Sequence, residues 1–186
     1  MDREKRQAIQ ILESFIVDPR QGLPEEVFLF ISRLTPMVNV DLLIQDERKR
    51  TLLTWRDDGF YPPGWHIPGG IIRFKETAAN RIQAVARQEL GVEVEFDSTP
   101  LAVNEVIHPI RDIRGHSISL LFRCKLVLSL DEGRRYQTGN PQPDAWMWHG
   151  IFPENMIPVH AMYRRFIEFR PEDQPVLTKI GAGSSD

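Results

Sequence analysis

The chain has 186 residues, 41% hydrophobic and 26% charged, which fits one soluble globular core and excludes the disordered and membrane-embedded classes. A formal net charge of −3 lacks the basic excess of a general nucleic-acid binder, so no nucleic-acid partner is expected. Cys124 is the single cysteine, so no intrachain disulfide can form, and the charged amphipathic N-terminus predicts an untargeted cytoplasmic protein without a membrane anchor.

Apolar residues at Ala8, Ile9, Ile11, Leu12 and Phe15 recur at helical spacing, predicting a helix over 2–15 that Pro19, Gly22 and Pro24 bring to an end. Residues 23–34 open with proline and two acids and carry a broad apolar stripe. They predict a second helix, whose 27–34 face suits a homodimer contact. MVNVDLLI at 37–44 and TLLTW at 51–55 flank the charged QDERKR and predict a hairpin. After a loop, residues 77–90 place Ala78, Ala79, Ile82, Val85, Ala86 and Leu90 on one face of an amphipathic helix. Strands are predicted at 101–108 and 116–130 around the turn IRDIRG, then a polar loop at 131–144, a short strand at 145–149 and a closing helix at 157–169. The tail 171–186 is expected to be mobile. The order predicts a helical extension over 1–36, then one α/β domain over 37–170, its mixed sheet covered on both faces.

The stretch GWHIPGGIIRFKETAANRIQAVARQELG at 64–91 holds the chemistry. Glu76 stands where a carboxylate opposes the positive end of the helix dipole, and Gly91 where a left-handed C-cap belongs. A capped helix explains those two residues. It leaves unexplained Pro68-Gly69-Gly70, and Glu89, a carboxylate kept in the last turn where the dipole disfavours it.

The spacing of Gly70, Glu76, Glu89, Gly91 and Val92 resembles the Nudix box. That resemblance implies a Nudix-type α/β/α sandwich with an N-terminal helical extension. Ala84-Val85 and Gln88-Glu89 stand where the box has Arg-Glu and Glu-Glu, so of three helix-face acids only Glu89 remains. LTPMVNVDLLI, LLTWR and RGHSISLLFRCKL further resemble the GDP-mannose mannosyl hydrolases, over about residues 25–150. That likeness implies a Mg²⁺ ion held by the Gly70 carbonyl, Glu89 and Gln142, with Arg56 on the diphosphate of a nucleotide-sugar substrate. Asp41 would bind sugar or base, and His116 would orient the site. Pro143 occupies the position of the family's general base, and Ile71 and Ala84 replace two of its arginines. Asp144 is the neighbouring candidate base, or else a loop hydrogen-bonding residue. The resemblance thus implies hydrolysis of a nucleoside-diphosphate sugar to nucleoside diphosphate and sugar. The alternatives are a pyrophosphatase cleaving the diphosphate, and a binding module on the same fold.

Overall fold

The computed structural model describes residues 3–168. Strand β1 (Met37–Ile44) explains much of the architecture, because its last five residues are all buried. A strand buried on both faces needs cover above and below, and reads as a continuous apolar run instead of an alternation. β1 runs parallel to the long strand β7 (His116–Leu126), in register from Met37 opposite Ser117 to Ile44 opposite Cys124. On its other edge it pairs antiparallel with β4 (Gly69–Ile71). The far edge of β7 carries β5 (Val94–Phe96) and β6 (Ala102–Ile107), both antiparallel. A second sheet places β2 (Thr51–Arg56) between β3 (Gly64–His66) and β8 (Trp146–His149).

Parallel pairing of β1 with β7 requires a long crossover, and the central helix lies within it. Helix α3 (Ala78–Val85) starts at Thr77, whose hydroxyl accepts from the Asn80 N–H at 3.1 Å. With the turn that follows, it buries Ile82, Val85, Ala86 and Leu90 against Val40, Leu42, Ile44 and Phe122. The other face of the sheet packs Leu43, Leu53, Trp65 and Leu121 against Tyr163 and Ile167 of the C-terminal segment. That segment is a 3-10 turn (Pro158–Tyr163) leading into the short α4 (Arg164–Ile167), in place of the regular closing helix predicted. The α/β/α sandwich with a mixed sheet is as the sequence predicts.

The N-terminal helices are α1 (Arg3–Ser14) and α2 (Glu25–Ile31). α1 buries none of its residues, whereas α2 inserts Val27. No described helix is long and apolar enough to cross a membrane. The tail 171–186 lies outside the described residues.

Two expectations need correction. The hairpin of 37–44 with 51–55 does not form, for β1 and β2 belong to different sheets and touch through one bridge, Gln45 to Thr51. Asp46 closes the turn by accepting from the N–H groups of Arg48 and Arg50 at 3.0 and 2.8 Å. β2, buried along Thr51–Trp55, finds its partners in β3 and β8 instead. The central helix is also not regular to its end, because Ala86–Leu90 forms a π turn before Gly91, at φ 73°, terminates it. Such widened turns recur at functional sites. Here Gln88 is exposed while Glu89 is half-buried, so the two do not share one environment.

Candidate active site

Glu89 is delivered by the π turn to the rim of the diglycine turn, where its Oε1 accepts from the Gly69 N–H at 3.1 Å. Its Oε2 accepts from the Thr54 hydroxyl at 3.1 Å, and the same hydroxyl lies 2.9 Å from His66 Nε2. With one proton to give, Thr54 donates to Glu89 and receives the His66 N–H. Burial keeps His66 neutral, its pKa pushed down to about 3. Burial also raises the Glu89 carboxyl to about 8, against the Gly69 hydrogen bond and with a further push from the charge of Asp144. The carboxylate is thus desolvated and faces a second acid, and the hydrogen bonds from Gly69 and Thr54 together with the field of Arg56 offset this only in part.

Gly69 and Gly70 are required here by contact. A Cβ on Gly69 would collide with Asp41 Oδ1 and approach the Val40 carbonyl to 2.9 Å. A Cβ on Gly70 would come within 2.9 Å of Val85. Val85, at a box acid position, is therefore a packing residue beneath the turn. Gly69→Ala is expected to destabilise the fold by about 2 kcal/mol, readable as a lowered midpoint in urea unfolding. Glu76, by contrast, is structural. Its Oε2 accepts from the Arg73 N–H at 2.9 Å and from Arg81 Nε at 2.8 Å, pairing a nearly buried guanidinium.

Asp41 lies across the turn from Glu89, fully buried among the hydroxyls of Ser119 and Tyr163, both of which donate to its Oδ2. Burial lifts its pKa to about 6 despite those bonds. Arg56, at the end of β2, is held by Asp58 Oδ2 through Nε at 2.9 Å and Nη2 at 2.5 Å. Asp41, Arg56, Gly70, Glu89, His116 and Asp144 all line one cleft of about 610 Å³. That volume suits a cofactor-sized ligand. Part of its wall comes from the extension, through Pro19, Leu23 and Phe28.

His116 sits at the rim, with its Nε2 3.1 Å from Glu105 on the neighbouring strand. Gln142 is not drawn in: its side chain is exposed and donates to Asn140 Oδ1 at 3.0 Å. The next two residues, Pro143 and Asp144, do line the cleft. Asp144 adopts φ 61°, a left-handed conformation that aspartate tolerates better than most residues. His149, which burial holds neutral at about 4, packs edge-on against Trp65 away from the acids.

Three participants carry no signal in the motif. Thr54 and Tyr163 are two, and the third is Arg134, whose Nη2 donates to the Glu89 carbonyl at 2.6 Å and reaches the Asp144 carbonyl at 3.5 Å. One guanidinium thus ties together the main chains bearing the two acids. Arg134→Ala is expected to lower kcat roughly 10- to 100-fold with little change in KM, checked by steady-state kinetics.

The sandwich, the diglycine turn and the single glutamate above it define a Nudix-type scaffold. No protein-family profile matches the chain. It is 32% identical over 112 residues to the low-salt glycan biosynthesis protein Agl8 of Haloferax volcanii, a match spanning 58% of this chain and 70% of that protein. Among solved structures, a Nudix hydrolase from Nitrosomonas europaea superposes with TM-score 0.51 at 23% identity, covering 76% of this chain and 75% of its own. A possible asymmetric diadenosine tetraphosphate hydrolase from Jonesia denitrificans also gives 0.51, at 18% identity over 66% of this chain and 86% of its own. The chain therefore has the Nudix fold, and its likeness to Agl8 places it in one family with that protein.

Proposed function

We propose that the protein is a Mg²⁺-dependent hydrolase of a nucleoside-diphosphate sugar resembling GDP-mannose, releasing nucleoside diphosphate and sugar. The observation that carries this reading is the opening of Arg56, Asp41, Asp144 and Glu89 beside the Gly69-Gly70 turn onto one ligand-sized cleft. The role of the Agl8 relative in glycan biosynthesis supports a sugar-nucleotide substrate.

The donor set fits a hard cation. Glu89 and Asp144 are two carboxylates close enough to repel, one of them desolvated, and the Gly70 carbonyl adds a neutral oxygen. No group of three His, Cys, Asp or Glu side chains poised for a metal occurs among the described residues. A caged ion is therefore not the expected mode, whereas Mg²⁺ is commonly held by one or two carboxylates plus water and substrate phosphates. Glu89 and the Gly70 carbonyl would hold it, and when bound it neutralises the diphosphate leaving group. Arg56 anchors a phosphate and Asp41 accepts from a sugar hydroxyl. Asp144 takes the proton of the attacking water, the role left open by Pro143, as the glycosyl C–O bond breaks and its electron pair leaves with the diphosphate.

Hydrolysis of a panel of NDP-sugars in ¹⁸O-water tests this, with label expected in the sugar. Label in the phosphate would assign pyrophosphatase chemistry instead. If every sugar nucleotide stayed intact while one raised the melting temperature, the binding-module reading would replace it.

A further inference from the structure

The mouth of the cleft alternates aromatic rings with guanidinium groups. Arg114 lies 3.9 Å from the ring centroid of Phe60 and 5.8 Å from that of Phe28. Arg111 follows, 4.6 Å from Tyr61 and 5.5 Å from Phe60, and Arg56 sits 5.7 Å over Tyr61. This ladder joins α2, the β2–β3 loop and the β6–β7 turn. Hydrogen bonds fix the turn as well: Arg111 Nη2 donates to the Phe60 carbonyl at 2.8 Å, and the Arg114 N–H donates to Ser32 Oγ at 3.1 Å.

Arg114 is held there against resistance. Its backbone is left-handed at φ 52°, it is half-buried, and it forms no ion pair among the described residues. The carboxylate nearest in effect is Asp58, which Arg56 already engages. Burial and the charge of Arg56 both pull the Arg114 pKa down. Two guanidinium groups therefore share one acid at the edge of a cleft, a local excess of positive charge that costs desolvation unless an anion enters. Strain and uncompensated charge at one residue beside a cleft are the physical marks of a binding role.

We propose that Arg114, with Arg56, binds the diphosphate of the substrate, supplying a cation that Ile71 and Ala84 do not. This rests on the reading of the cleft as a nucleoside-diphosphate site. A guanidinium stacked on Phe60 is fixed in plane, so its paired N–H donors meet phosphate oxygens with little further ordering.

The test is calorimetric titration of the full chain with inorganic pyrophosphate, GDP and guanosine. Arg114→Ala and Arg114→Gly are expected to weaken pyrophosphate and GDP binding at least tenfold and leave guanosine binding unchanged, with partial recovery in Arg114→Lys. The glycine variant relieves the left-handed strain and so guards against loss of fold. In the wild-type chain, pyrophosphate is expected to protect Arg114 from phenylglyoxal, read by mass spectrometry, which needs no variant. Pyrophosphate affinity within twofold of wild type, equal loss of guanosine binding, absence of protection, or no pyrophosphate binding by the wild type would each overturn the assignment. Pyrophosphate binding that depends on Arg114, without turnover of any sugar nucleotide, would instead sink the hydrolase reading and leave Arg114 standing.

Discussion

Glu89→Gln is expected to lower kcat/KM by roughly 10³-fold or more, about 4 kcal/mol of transition-state stabilisation, while the metal-free protein keeps or gains thermal stability. The two effects have one cause. Glu89 is the single carboxylate left on the box helix, so under the proposed function its charge would be the main protein contribution to holding Mg²⁺ beside the diphosphate. That charge is buried between the Gly69 N–H and the Thr54 hydroxyl, with Asp144 opposing it. Glutamine keeps the shape and an acceptor while removing the desolvation cost of the anion. Melting curves separate the roles: Mg²⁺ with a nucleoside diphosphate should raise the wild-type midpoint and leave the Glu89→Gln midpoint unmoved. Activity within tenfold of wild type would show that Glu89 is not the metal-holding group.

Glu89 was legible in the sequence because its signal is local, a fixed spacing from Pro68-Gly69-Gly70 and Gly91. β1 was legible for a similar reason, being a run rich in strand formers closed by charges. The partner of β2 was not, since the choice between β1 and the β3/β8 pair depends on where distant segments fold. Three-residue strands such as β3, β4 and β5 are too short to show a period. The π turn escaped because the apolar pattern of 77–90 is satisfied by a regular helix, and only packing decides between them. Arg114 reaches the cleft from the β6–β7 turn, while Arg134 of the β7–β8 loop and Tyr163 of the C-terminal segment bond to residues that line it. No spacing links them to the box. Gln142 shows the limit of loop matching: the loop arrives, but Pro143 and Asp144 line the cleft while Gln142 turns to Asn140.

Asp41→Asn is expected to raise the melting temperature at pH 8, to raise it about half as much at pH 5, and to weaken substrate binding at both. In the folded chain burial lifts the Asp41 carboxyl from 3.8 to about 6. An acid whose folded pKa is raised contributes stability that is fully present below about pH 3.8 and is lost as pH rises through about 6. Well above that window the ionised side chain costs up to roughly 3 kcal/mol, at about 1.4 kcal/mol per unit. For a chain of this size that corresponds to a few degrees, up to about 10 °C. Asparagine stays neutral throughout, and its carbonyl still accepts from the Ser119 or Tyr163 hydroxyl that meets Asp41 Oδ2. Burial and the nearby Asp41 charge push the Tyr163 phenol up, so that hydroxyl remains a donor across the range. A buried carboxylate that weakens the fold at neutral pH, on the floor of the cleft that holds Glu89, is the stability cost expected of a binding group. Thermal unfolding at the two pH values, set beside sugar-nucleotide affinity, tests the trade directly: a variant that gains stability at pH 8 without losing affinity would make Asp41 a structural residue only.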